Sequence, residues 1–179
     1  MKIDQIVDQP TITADRFVLR PARRSDAGLM SMYAADKRVA WNTSNIPHPL
    51  PPGTTEAFLE RAMAPNRTED VWVIDGTATG AGEVLGTVGL TRMDRAQSEI
   101  GYWIVPAFWN TGLASEAVRA VLAANPQASE SIFGAVFQDN PASARVLTNA
   151  GFEFIGDAET FSVARNATVP TWTYIRKMR

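Results

Sequence analysis

"SEIGYWIVPAFWNTGLASEAV", Ser98–Val118, is the stretch on which the fold turns. Its first half, "EIGYWIVP", reads as an apolar strand. Its second half, "WNTGLASEAV" from Trp109, passes through a turn with one glycine into an alanine-rich helix. A strand that turns at once onto a helix start offers an anion free backbone N–H groups and the positive end of the helix dipole. Gly112 lets a phosphate approach the backbone closely, and Ala114 keeps the next turn slim. A plain tight turn fits the same spacing, with Asn110 tolerating positive φ and Thr111 or Ser115 capping the helix. The Lys and Ser/Thr of a nucleotide-hydrolysing phosphate loop are missing after the glycine, which weakens that reading.

Working outward, the "EIGYWIVP" strand is apolar on both faces and should be central in a sheet. Upstream, "RFVLRPA" (Arg16–Ala22) reads as a strand. "RSDAGLMSMYAAD" reads as a helix with Ser25 as N-cap, and "WNTSNIPHPLPPGTT" (Trp41–Thr55) as a surface loop by composition. "TTEAFLERAM" resumes helix, and "DVWVIDG" and "EVLGTVGLTRM" are strands. Downstream, "LASEAVRAVLAAN" carries one apolar helical face and "ESIFGAVFQ" is a strand. "NPASARVLTNAGF" is a short helix with Asn140 as N-cap, Pro141 in its first turn and Gly151 at its end. "FEFIGDAETFSVA" and "TWTYIRKM" close the chain as strands. The order predicts an α/β (α+β) domain whose helices cover a mixed, mainly antiparallel sheet.

The bulk composition is that of one soluble domain, residues 1–179, large enough to bury a core of roughly 70% of its unfolded surface. A net charge of −2 gives no electrostatic case for nucleic acid or an anionic membrane. With no cysteine and one histidine, disulfides, thiolate catalysis and a Cys/His zinc cluster are excluded, and no metal site is expected. The opening "MKIDQIVDQPTIT" has no apolar leader core and no later run is long enough to span a membrane, so a cytoplasmic location is expected.

Candidate site residues each have a structural alternative. Ser143, near a helix start, could protonate a leaving group, or simply sit in a first turn. Glu99 opens an apolar strand, either as a general base beside Tyr102 and Trp103 or as a solvated strand end. Glu116 is accounted for by the helix dipole. His48, between two prolines, either shapes an acceptor pocket or lies exposed on the loop.

Taken together these segments resemble the GNAT acetyltransferase superfamily, and most of all its RimJ/RimL subgroup of protein N-terminal acetyltransferases. "ITADRFVLRPARRSDAGLM" is similar to the subgroup's opening strand and helix, and "IPHPLPPGTTEAFLERA" to its acceptor-side loop and second helix. "SEIGYWIVPAFWNTGLASEAV" resembles its signature segment and "NPASARVLTNAGFEFIG" its closing motif. The resemblance implies a twisted sheet of six to seven strands with about four helices and splayed central strands. It implies that acetyl-CoA is the acetyl donor, gripped through its pyrophosphate by the turn Trp109, Asn110, Thr111, Gly112, Leu113 and Ala114. Gly112 and Ala114 match the family's Gln/Arg-x-x-Gly-x-Gly/Ala pattern, while Trp109 and Asn110 depart from it. Ile104 and Val105 would pair their backbone with the pantetheine arm, and an amide there could polarise the thioester carbonyl. Asn140 and Ser143 match the subgroup's Asn-x-x-Ser, the first contacting the cofactor arm and the second protonating the departing thiolate. Glu99 falls where several members keep a base acting through water.

The function implied is acetyl transfer to a primary amine by direct attack in a ternary complex. A protein or peptide N-terminal α-amine is the leading acceptor, since "WNTSNIPHPL" carries no carboxylate to welcome a polyamine. Trp41, His48 and Tyr102 are its expected lining. Alternatives are a small-molecule amine, such as a polyamine or antibiotic, or a non-catalytic module that senses acetyl-CoA. Similar proteins form homodimers, so a homodimer is also admitted.

Overall fold

The computed structural model describes residues 9–179. The opening segment read above as lacking a leader lies outside the described residues as far as residue 8. Eight strands of the described residues form one sheet in the order β1-β2-β3-β4-β5-β6-β8-β7. They are β1 (Ile12–Thr13), β2 (Val18–Pro21), β3 (Glu69–Asp75), β4 (Gly86–Met93), β5 (Gln97–Ile104), β6 (Ser131–Phe137), β7 (Glu153–Ser162) and β8 (Ala167–Lys177). Only β5 and β6 run parallel; every other neighbouring pair is antiparallel. The mixed, mainly antiparallel sheet and the central place of β5 match the sequence expectation. The strand beyond the expected seven is β1, two residues long and too short to leave a periodic signature.

Among the described residues five α-helices cover the faces: α1 (Ala27–Ala34), α2 (Lys37–Trp41), α3 (Thr54–Met63), α4 (Leu113–Ala124) and α5 (Pro141–Asn149). The five-residue α2 was not expected, and Trp41 is its last residue rather than the first of the loop. Ser25 is not the cap of the first helical segment either. A 3-10 turn over Arg24–Asp26 precedes α1, and the buried Asp26 carboxylate accepts from Arg23 N–H at 2.9 Å. Asp26 is chosen because its charge is also paired with Arg20 at 2.7 Å, a partner that serine could not engage as an ion.

β3 shows why the sheet is apolar on both sides. Trp72 and Ile74 face a core shared with α4 and α5, while Val71 and Val73 face a second core with α1 and α3. Asp70, 1% exposed, anchors one end of the central strands. It pairs with Arg67 at 2.8 Å and Arg92 at 2.5 Å and accepts from Gln127 at 3.0 Å. Gln127 in turn accepts from Ser98 of β5 at 2.5 Å. Three strands and the connection leading to β6 are therefore fastened at this end. Among the described residues no helix is long and apolar enough to cross a membrane.

Candidate active site

At the other end, β5 and β6 part. Their ladder runs from Gln97↔Ser131 to Ile100↔Gly134 and stops there. Beyond that rung β5 stays on β4 as far as Gly86↔Ile104, and β6 stays on β8 as far as Phe137↔Thr171. Each strand keeps its outer partner, so the two diverge without fraying. Gly134 leaves room at the last shared rung for Leu147 of α5, whose Cδ1 lies 2.8 Å from where a Cβ would stand. That close seating brings the start of α5 to the mouth of the wedge.

Two cavities open into the wedge, one of about 310 Å³ and one of about 620 Å³. The larger lies against α4 and α5, the smaller against α1, α3 and the Pro-rich loop. Both are walled by Asn42, Thr43, Tyr102, Trp103, Asn140 and Ser143. They meet at those residues.

The larger cavity ends on the glycine turn. Asn110 and Gly112 both take positive φ, +61° and +79°, so the backbone doubles back and points the α4 start at the cavity. Glu116 N–H is the first helical amide to bond within α4, to Gly112 O at 3.0 Å. The amides of Leu113, Ala114 and Ser115 ahead of it are the unpaired donors of a helix start, and among the described residues no side chain caps them. Thr111 spends its hydroxyl on Phe108 O at 2.6 Å. The Leu113 side chain is buried, so only its backbone is offered. Arg16 braces the turn from outside, bonding Thr111 O at 3.0 Å and pairing with Glu116 at 2.5 Å. The structural role expected of Glu116 is therefore this brace, which sequence spacing could not show.

Ile104 and Val105 part company. Val105 N–H bonds Leu85 O at 2.9 Å, toward β4. By the two-residue alternation of a strand, the backbone of Tyr102 and Ile104 faces the wedge. The Ile104 carbonyl is already taken by the Trp109 indole N–H at 2.7 Å, which fixes Trp109 against the strand end. Of the expected pair, Ile104 turns its backbone to the wedge, as Tyr102 does, while Val105 is turned to β4.

Asn140 caps α5: its Oδ1 accepts from Ser143 N–H at 3.4 Å, leaving the amide NH₂ as its free donor. Ser143 Oγ lies 2.7 Å from Tyr102 Oη. Burial pushes the Tyr102 phenol up to about 12, with the Ser143 hydrogen bond opposing the rise.

In the smaller cavity, Glu99 lies in one row with Thr91 and Glu69 across β5, β4 and β3. Glu69 folds over Gly89, and its carboxyl is raised by burial, opposed by Arg61 and reinforced by Asp70 and Glu99. Sequence reasoning missed Glu69, because only strand register aligns it with Glu99. Gly101, between Glu99 and Trp103 on the same face of β5, has nothing within 4 Å of a hypothetical Cβ and so leaves the floor open. The loop wall is made by residues 42–47 and Leu50. Trp41, at the end of α2, and His48, on the loop, are not among the residues lining the cavity. Trp41 instead meets Arg165, whose guanidinium lies 5.1 Å over its ring and bonds its carbonyl at 2.9 and 3.0 Å. His48 has a buried Nδ1 with no hydrogen-bond partner among the described residues. Among the described residues no group of three His, Cys, Asp or Glu could hold a metal.

The chain is 29% identical over 153 residues to the uncharacterized N-acetyltransferase YoaA of Bacillus subtilis (strain 168), covering 80% of this chain and 83% of that one. Its fold is similar to that of the microcin C7 self-immunity acetyltransferase MccE in complex with acetyl-CoA and AMP. The TM-score is 0.78 at 15% identity, over 91% of this chain and 93% of that one. It is similar too to the ribosomal-protein-S5-alanine acetyltransferase of Vibrio fischeri, with a TM-score of 0.77 at 20% identity over 95% and 97% of the two chains. Residues 16–153 match the acetyltransferase (GNAT) domain model, and the chain belongs to that family as an N-acetyltransferase that uses acetyl-CoA.

Proposed function

We propose that residues 1–179 act as one catalytic domain of the RimJ/RimL type, acetylating the N-terminal α-amine of a peptide or protein. The observation that carries this reading is the meeting of two cavities at Tyr102, Asn140 and Ser143. A donor held on the α4–α5 side and an acceptor held on the loop side come together there for direct attack. Acetyl-CoA supplies the activated acetyl group. The Leu113–Ser115 amides hold its diphosphate at the positive end of the α4 dipole, with Trp109, Asn110, Thr111 and Gly112 shaping the turn. The wedge-facing backbone of Tyr102 and Ile104 aligns its arm, and an N–H there stabilises charge developing on the thioester oxygen. Asn140 holds the arm from the other side. Glu99 takes one proton from the incoming ammonium through water, and Ser143 gives its proton to the departing thiolate while taking up the second proton shed by the acylated nitrogen. Most of the acceleration is positional and electrostatic.

The loop wall, residues 42–47 and Leu50, contains no charged side chain, which suits a peptide backbone behind a single amine. A second reading, a small polycationic amine, has Glu69 and Glu99 in its favour, because both line the same cavity. Purified protein with acetyl-CoA should be tested against N-terminal peptides, polyamines and aminoglycosides while thiol release is followed. Turnover is expected with peptides. Turnover confined to polyamines or aminoglycosides would replace the acceptor assignment. Binding with no turnover on any acceptor would favour a sensor over an enzyme of this type. At a hundredfold excess over Kd the donor alone should stabilise the fold by ~2.7 kcal/mol. In a chain of this size that is a melting shift of roughly 5–10 °C.

A further inference from the structure

Tyr102 walls both cavities, yet its hydroxyl is committed to one residue. Oη lies 2.7 Å from Ser143 Oγ and 3.2 Å from the Ser143 carbonyl. A single O–H cannot serve both oxygens fully. If it bonded the carbonyl, Ser143 would have to turn its own proton onto the phenol, and that proton would face away from the wedge. The shorter contact has the length of a well-formed O–H···O bond, and the longer one does not. Ser143 N–H is already bound to Asn140, so the orientation of the Ser143 hydroxyl is left to Tyr102.

We propose that Tyr102 is a positioning residue for Ser143: its phenol donates to Oγ and turns the serine proton into the gap between β5 and β6. This rests on the reading of Ser143 as the proton donor. Tyr102 follows two residues after the last rung shared by β5 and β6, on the same side of β5 as Ile100, and so reaches α5 where the strands have parted. The phenol is raised by burial, with Ser143 opposing, and no charged side chain contributes. It therefore remains a donor at the pH, about 8, where an N-terminal amine becomes neutral.

The test is steady-state kinetics of Tyr102→Phe, Ser143→Ala and the double variant, with acetyl-CoA affinity and melting measured on each. Tyr102→Phe should lower kcat roughly five- to tenfold, the loss from one neutral hydrogen bond. Its acetyl-CoA Kd should stay at wild type, and melting should fall by only about 2–4 °C. In the Ser143→Ala background the same change should cost nothing further, because the group it positions is gone. Wild-type kcat in Tyr102→Phe, or an equal loss in both backgrounds, would overturn the positioning role. Wild-type kcat in Ser143→Ala would overturn the proton-donor reading beneath it. Difluorotyrosine at 102 decides the matter even if Tyr102→Phe fails to fold. It keeps ring and hydroxyl but ionises sooner, so kcat should fall on the alkaline side where wild type is flat. An unchanged alkaline profile would sink the proposal.

Discussion

Ser143 stands where it does because Asn140 caps the helix that carries it, and the motif Asn-Pro-x-Ser states that local geometry in the sequence itself. Its partner Tyr102 is 41 residues away, and no spacing rule joins them. The same contrast separates Gly112, whose positive φ a turn residue announces, from Arg16, which braces that turn across 95 residues. Glu69 belongs to the hidden class too, and it yields a residue-scale prediction. Burial raises its carboxyl in the folded state, with Arg61 opposing and Asp70 and Glu99 adding to the rise. A raised acid contributes its full share of stability below its unfolded pKa and loses it as pH rises through the folded value. Glu69→Gln should therefore melt with wild type near pH 4 and above wild type at pH 7–8. Equal melting differences at both pH values would show that burial does not disfavour the Glu69 charge.

Among the elements, the Pro-rich loop and the β7–β8 turn are joined by one side chain that composition did not single out. Arg165 pairs with Asp139 at 2.6 Å, bonds the α2 carbonyl of Trp41, and lies 4.7 Å over the Phe137 ring. Its contact with Trp41 spans 124 residues, so neither hydrophobic period nor motif could reveal it. Val163 N–H adds a bond to Ser44 O at 3.0 Å, fixing the loop to the same turn. This strap holds the loop wall of the smaller cavity, the proposed acceptor side, and none of its bonds reaches the α4 start. Arg165→Ala should raise the acceptor KM roughly tenfold, the loss of charged hydrogen bonds, while acetyl-CoA Kd stays put. An unchanged acceptor KM in a folded variant would show that the strap does not shape that cavity. Arg165 also holds the Asp139 carboxyl below its ordinary value, opposed by partial burial. The stability this pair lends is present above the unfolded pKa of Asp139 and lost as pH falls through the lower folded one.

For the whole molecule, the mixed sheet and the central β5 were legible because alternation, glycine turns and helix caps are written locally. The two-residue β1 and the five-residue α2 were not, since neither is long enough to carry a period. The wedge is a property of the assembled sheet. β5 and β6 are fastened at one end through Ser98, Gln127 and Asp70, and are held apart at the other by their separate partners β4 and β8. The family resemblance led to it; residue pattern alone did not.

In the proposed complex a CoA thioester threads this wedge and rests its diphosphate on the start of α4. Backbone ¹H–¹⁵N shifts followed while acetyl-CoA is titrated test it most directly. Large, saturable movements are expected at Leu113, Ala114 and Ser115 and at the wedge-facing amides of Tyr102 and Ile104, with Val105, bound to Leu85, moving less. Saturable binding that leaves the Leu113–Ser115 amides unmoved would contradict it.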